Sequence, residues 1–221
     1  MNYEKLILII IAATLTIITE MDLLPQIHQM GFYCGDPKLS LKYTGDTVTA
    51  RYLLILSFLI PLLILVDKRF YKNSFSTYLG MYATFIIGYC LCISSVNFLK
   101  VLFGEPRPHF FDTCKPVEAL KCTPGSFVPT FTCTNEDWYR ARDSTKSFPS
   151  GHSALSTFSA GFVWLYISKH SASKWKLVVQ VLCVLWILSC TVTRIFDNRH
   201  HWWDVLSGIG YGFGLSVVTL R

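Results

Sequence analysis

Charge is what this sequence has least of. Only 15% of its 221 residues are charged, while 52% are hydrophobic. A soluble domain of this length carries about 25% charged residues, so the composition excludes an ordinary water-soluble domain. The charges also avoid long windows, which is how membrane spans are patterned. A basic run is missing too. The net charge of +6 is scattered, and no nucleic-acid motif accompanies it. Nucleic acid is therefore excluded as a partner, and the excess reads as membrane topology. There is no internal repeat, no low-complexity segment and no Asn-x-Ser/Thr acceptor. A Gly-x-Ser-x-Gly elbow is absent, which argues against a serine hydrolase working through Ser150. Beyond His200, His201 and Asp204, no group of residues has metal-ligand spacing, so zinc is disfavoured and no metal or other cofactor is expected.

What is present is apolar runs. Leu6 to about Leu24 reads as an uncleaved first span, because no small-x-small cleavage site follows it. Thr47 to Val66 is the second, with Pro61 as a kink site. Ser76–Leu99, Gly151–Ser168, Trp175–Val192 and Asp204–Leu220 are the third to sixth. The expected fold is all-α and integral to the membrane. It is one six-span domain over 1–221, with a polar outer loop at about 100–151 inserted between spans three and four.

Six spans put both termini on one side, together with the short basic loops 67–73 and 169–174. Short loops carry the weight of the positive-inside rule, so the termini are expected in the cytoplasm, although raw Lys and Arg counts favour the other side. Cysteine gives an independent reading. Cys34, Cys114, Cys122 and Cys133 all fall in the two long outer loops. At least one disulfide is expected among them, in an oxidising compartment, and the pairing stays open. Cys90, Cys92, Cys183 and Cys190 lie inside spans as small apolar side chains.

Three polar clusters sit at span edges on the outer side. Lys100-Val-Leu-Phe-Gly-Glu-Pro-Arg107-Pro108 closes the third span. Alone it also reads as basic residues snorkelling at a span end. Ser147-Phe-Pro-Ser150-Gly151-His152-Ser153 opens the fourth, offering free backbone N–H groups, a hydroxyl and an imidazole. Alone it also reads as a plain helix cap. Thr193-Arg194-Ile-Phe-Asp-Asn-Arg-His200-His201-Trp202-Trp203-Asp204 joins the last two spans. His200 and Asp204 are four apart, so a helix starting there would stack carboxylate on imidazole. Alone this stretch also reads as an aromatic-basic belt at a membrane surface. His201, whose i+4 neighbour is Val205, is the weaker candidate, and His109 reads as a surface residue.

Taken together, Lys-x6-Arg-Pro, Pro-Ser-Gly-His and Arg-x5-His-x3-Asp resemble the signature of the type 2 phosphatidic acid phosphatase superfamily. That superfamily also holds bacterial acid phosphatases and vanadium haloperoxidases. The resemblance covers nearly the whole chain and looks like the lipid phosphate phosphatase branch, through Gly31-Phe-Tyr-Cys34 and Arg107-Pro-His-Phe-Phe-Asp-Thr-Cys114 as well. It departs at Thr193, where serine is usual, and at Pro149, where animal members often have an aromatic residue. The resemblance implies roles. Lys100, Arg107 and Arg194 hold phosphate oxygens, and Ser150 and the Gly151 backbone add hydrogen bonds. His200 attacks phosphorus with Asp204 behind it, and His152 protonates the leaving oxygen. Implied substrates are phosphatidate, lysophosphatidate, sphingosine 1-phosphate and ceramide 1-phosphate, met within the lipid bilayer, with the active site extracellular or lumenal at the ends of helices 3 to 6. A plasma-membrane ectoenzyme is the expectation, and a homo-oligomer is compatible with it. The rival reading is a family member that binds lipid phosphates without turnover.

Overall fold

A computed structural model describes residues 3–21, 23, 25–66, 75–171 and 174–221. The basic loop 67–73, residues 172 and 173 of the second short loop, and Asp22 and Leu24 lie outside the described residues. The chain is helical, as expected. The long helices are α1 (Tyr3–Glu20), α2 (Ala50–Val66) and α3 (Phe75–Phe103). Two short helices, α4 (Phe110–Thr113) and α5 (Trp138–Asp143), punctuate the long loop. Then come α6 (Gly151–His170), α7 (Lys176–Phe196) and α8 (Trp202–Thr219). Among the described residues, two stretches are long and apolar enough to cross a membrane, Thr77–Phe103 and Lys176–Phe196. Leu6–Thr19 and Ala50–Leu62 are shorter apolar helices.

Two helix ends differ from the sequence reading, and both matter to the site. Helix α3 runs past Leu99 and carries Lys100 in its last turn. It stops at Gly104, whose φ of 59° is the left-handed conformation that suits glycine, and Pro106 forbids resumption. Helix α7 runs past Val192, so Thr193 and Arg194 are helical rather than loop residues.

Helix α6 packs against α2, α3, α7 and α8. This central position explains its sequence. Ser153, Ser156, Thr157 and Ser159 are buried against protein instead of facing outward. The contact with α8 is at backbone distance. A Cβ on Gly208 would lie 2.6 Å from the Ser150 carbonyl oxygen, and one on Gly212 would collide with that of Ala154. With Ser216, these form a small-residue ridge at four-residue spacing, the device by which helices approach closely. On the other side of α6, Phe158 and Phe162 pack on Phe85 of α3, with ring centroids 5.8 and 5.2 Å apart. The outward faces of α1, α7 and α8 are lined by exposed Leu, Ile, Val and Phe side chains.

The two long loops fold over one end of the helices. Strands β1 (Phe32–Tyr33) and β2 (Phe127–Val128) pair antiparallel, Phe32 opposite Val128. Phe32, Phe110 and Phe131 bury their rings together there. Two disulfides pin the assembly, Cys34–Cys122 and Cys114–Cys133. Sequence had left the pairing open.

Candidate active site

The close α6–α8 contact brings two helix starts side by side. Ser150 caps α6, its hydroxyl accepting the Ser153 N–H. His201 caps α8, and Asp204 at the third helical position turns back to accept the His201 backbone N–H at 2.9 Å. This capping box satisfies helix-end donors. It also changes the expected geometry. His200 precedes the helix instead of sharing a helical face with Asp204, and the carboxylate reaches it by folding back over the cap. The Ser150 N–H donates to the Asp204 carbonyl at 3.1 Å, joining the two starts.

A cavity of about 550 Å³ opens here, and its wall includes Lys100, Arg107, Gly151, His152, Arg194 and His200. Six residues singled out from sequence thus share one space. Asp204 is fully buried behind His200, and Ser150 is buried at its cap; neither is part of the cavity wall. Gly151 faces Lys100, where a Cβ would sit 3.6 Å from Nζ. Thr193 is turned into its own helix, its hydroxyl donating to the Ser189 carbonyl.

His200 is 4% exposed. Arg107 Nη1 lies 3.3 Å from its Nε2. A guanidinium only donates, so Nε2 is the acceptor and the neutral ring carries its proton on Nδ1. That atom lies 3.5 Å from Asp204 Oδ2, an attractive contact short of hydrogen-bond geometry. Burial, then the Arg107 charge, holds the His200 pKa well below the ordinary imidazole value. The ring is therefore neutral, with a lone pair beside a cation. His152 Nε2–H donates to the Val48 carbonyl at 3.0 Å, which leaves Nδ1 as the atom where a second proton would bind.

The cations are not bare. Arg194, 1% exposed, bonds Asp46 at 2.6 Å and Asp197 at 2.8 Å. Arg199 bonds Asp46 at 3.2 Å and Asp143 at 2.9 Å, and Asp143 in turn bonds Arg107 at 2.8 Å. Three guanidinium groups and two carboxylates thus alternate, in the order Arg194, Asp46, Arg199, Asp143, Arg107, ending at His200. Burial raises the Asp143 pKa, but Arg107 and Arg199 more than offset it and hold the carboxyl ionised. Asp46, Asp143 and Arg199 were not anticipated from sequence. The available signal was general: arginines set in apolar surroundings require buried counter-charges.

His109 corrects an expectation. It is not a surface residue but 1% exposed. Its Nδ1–H donates to the Thr113 hydroxyl, and its Nε2 faces Arg199 Nη1 at 3.5 Å. Burial and the Arg107 charge push its pKa down to about 3. It props Arg199 as a neutral ring. His201 also differs from its reading. Its Nδ1 lies 3.5 Å from Asp204 Oδ2, so the carboxylate stands between both histidines. Ligand atoms of Glu105, His201 and Asp204 come within 4.8 Å of one another, a spacing able to hold a cation.

Apolar side chains also line the cavity, Ala50, Leu53, Leu54, Ile93, Val96 and Leu155 among them, together with polar ones such as Asn97, Asp137, Arg140 and Lys146. A space lined by cations, imidazoles and aliphatic side chains together suits an anion carried on an apolar body.

The PAP2 superfamily pattern matches residues 77–221, which include the candidate site residues named from sequence. Phospholipid phosphatase 2 of Bos taurus is 28% identical over 212 residues, spanning 88% of this chain and 73% of its own length. Phospholipid phosphatase 1 of Rattus norvegicus is 25% identical over 213 residues, with 87% and 74% spanned. A phospholipid phosphatase homologue of Caenorhabditis elegans is 29% identical over 211 residues, with 83% and 62% spanned. No solved structure matches the chain. The family pattern over most of the chain makes this protein a member of the PAP2 superfamily, and the relatives it resembles along nearly all of its length are phospholipid phosphatases.

Proposed function

We propose that the protein is a lipid phosphate phosphohydrolase that works through a phosphohistidine at His200. The observation that carries this is the cavity itself. A neutral imidazole with its lone pair beside Arg107 lines the same cavity as Lys100, Arg194, Gly151 and His152, and Leu53, Leu54, Ile93, Val96 and Leu155 line it too. Phosphoryl transfer needs positioning and charge stabilisation more than covalent assistance from the protein. Lys100, Arg107 and Arg194 supply charge, with the α6 N-terminus at Gly151 adding backbone dipoles and Ser150 its cap hydroxyl. Nε2 of His200 attacks phosphorus as the bond to the lipid oxygen breaks. The ring gains positive charge, which Asp204 stabilises from the Nδ1 side. Burial and the Arg194 and Lys100 charges hold the His152 pKa low. A phosphate bound among those cations offsets them, so that Nδ1 takes up a proton on binding, gives it to the leaving oxygen and then takes one from the water that hydrolyses the phosphohistidine. Side-chain cations fill the role a metal would have, so the reading uses none.

The substrates in this reading are phosphatidate, lysophosphatidate, sphingosine 1-phosphate and ceramide 1-phosphate. The six long helices are six membrane spans in a multi-pass protein. The site then lies at headgroup depth on the side carrying both disulfides, which favours the extracellular or lumenal face, with cytoplasmic termini. The test is phosphate release from a panel of these four lipids by purified wild type and His200→Ala. Turnover by wild type alone supports the reading. Equal release by both proteins refutes the nucleophile. Tight lipid binding without release by wild type would favour a non-catalytic binder.

A further inference from the structure

Beneath the cations, the cavity has a polar side chain that the mechanism above does not use. Ile93, Val96, Asn97 and Lys100 all line the space, at the i, i+3, i+4 and i+7 positions of one face of α3. Asn97 therefore sits one turn, about 4.5 Å along the axis, farther from the covering loops than Lys100. The lining residues one turn in on the neighbouring helices are apolar. On α6, Leu155 follows Gly151 and His152, and on α2, Leu53 and Leu54 follow Ala50. The two helices are level there, because the Val48 carbonyl just before α2 accepts from His152 at 3.0 Å. Thr19 of α1 also lines the cavity, but its hydroxyl donates to the Leu15 and Thr16 carbonyls of its own helix, each at 3.0 Å. A carboxamide inside an apolar span is costly to carry, and such residues mark substrate paths.

We propose that Asn97 reads the polar group on the second carbon of a lipid phosphate, and so sets a preference for glycerol and sphingoid phosphates over plain alkyl phosphates. With the phosphate among Lys100, Arg107 and Arg194, the tail runs on among Leu53, Leu54 and Leu155, and it passes Asn97 first. In these lipids the second carbon is separated from phosphorus only by the ester oxygen and one methylene. It therefore falls within the single turn that separates Asn97 from Lys100. That carbon carries a hydroxyl in lysophosphatidate, an ester oxygen in phosphatidate, an amide N–H in ceramide 1-phosphate and an ammonium in sphingosine 1-phosphate. A carboxamide accepts on Oδ1 and donates through Nδ2, so this one side chain can meet all four. A carboxylate there would only accept, and would repel the phosphate. A monoalkyl phosphate offers a methylene at that carbon and forfeits the hydrogen bond.

This inference rests on the phosphatase reading, and a ratio of substrates tests it separately. The quantity is kcat/KM of purified protein, in one detergent, on single-chain substrates of matched length: lysophosphatidate, sphingosine 1-phosphate and a monoalkyl phosphate. Wild type should favour the first two over the third. Asn97→Leu keeps the volume and removes the amide, and should shrink that preference roughly three- to tenfold, the worth of about one hydrogen bond. Asn97→Asp keeps an acceptor, loses the donor and adds a charge that attracts an ammonium. It should raise the ratio of sphingosine 1-phosphate to lysophosphatidate roughly three- to tenfold, and it carries the test should the Leu variant fail to fold. An asparagine that only supports the fold would change all substrates by the same factor. Unchanged ratios in the folded variants therefore overturn the proposal, as does a wild type that turns over the alkyl phosphate as well as the other two. If no substrate gives His200-dependent phosphate release, the phosphatase reading has failed instead.

Discussion

Asp143 offers the sharpest test of how the arginines are held. Its Oδ1 takes Arg107 Nη2 at 2.8 Å, and its Oδ2 takes Arg199 Nη2 at 2.9 Å. Asp143→Asn keeps the shape and one oxygen but removes the charge that both cations face. Removing one partner of a fully buried pair costs about 3–5 kcal/mol. Arg107 is 3% exposed but Asp143 is 21% exposed. With that exposure and the surviving amide oxygen, the cost falls to about 2 kcal/mol. For a chain of this size that lowers Tm by about 4–8 °C. An oxyanion in the cavity would supply the missing charge. Orthovanadate should therefore raise the Tm of Asp143→Asn by more than it raises that of wild type, because a ligand stabilises in proportion to its affinity for the folded state. Both proteins are melted in the same detergent with and without vanadate. An equal or smaller vanadate shift in the variant would refute the claim that Arg107 presents its charge to a bound phosphate.

Other outcomes are open to measurement. His152→Ala should abolish phosphate release at unchanged Tm, and Asp204→Asn should lower kcat by loosening the hold on His200; wild-type rates in either would remove that residue's role. Stability should fall with acid. Folded His109 and His200 stay neutral while their unfolded rings take protons below about 6.5, and Asp143 adds a further loss below about 4, where only its unfolded carboxyl protonates. A Tm that holds or rises from pH 7 to 4 contradicts this. The Cys114–Cys133 bridge, with 19 residues of separation, and the Cys34–Cys122 bridge, with 88, should contribute about 3 and about 5 kcal/mol in the chain-entropy account. Peptide mapping of non-reduced protein checks the pairing, and free thiols at these positions would end the argument. A tag near Lys121 should be reached by antibody on intact cells, or only after permeabilisation if the site faces an organelle lumen. Access solely from the cytosol would invert the proposed topology.

Sequence determined what is local and what is compositional. Apolar runs located the long helices, because a run of greasy residues bounded by polar loops leaves few other structures. Chemical type also survives in one dimension: Lys100, Arg107, His152, Arg194 and His200 were nameable because their residue types at those intervals suit an oxyanion. Tertiary structure decided everything that depends on which loops meet. Asp46 and Asp143 lie 97 residues apart in polar stretches without periodicity, and only folding makes both of them counter-ions of Arg199. His109 looked like a loop residue because nothing in Pro-His-Phe announces that a pair of disulfide-bound loops will bury it. The helical-spacing argument joined His200 to Asp204 for a reason that does not hold. The helix begins two residues later, at Trp202, and it is the capping box that swings the carboxylate back between two histidines. Spacing along a chain reports neighbours only where the secondary structure is already known, whereas charge pairing across loops is set by the packing that brings them together.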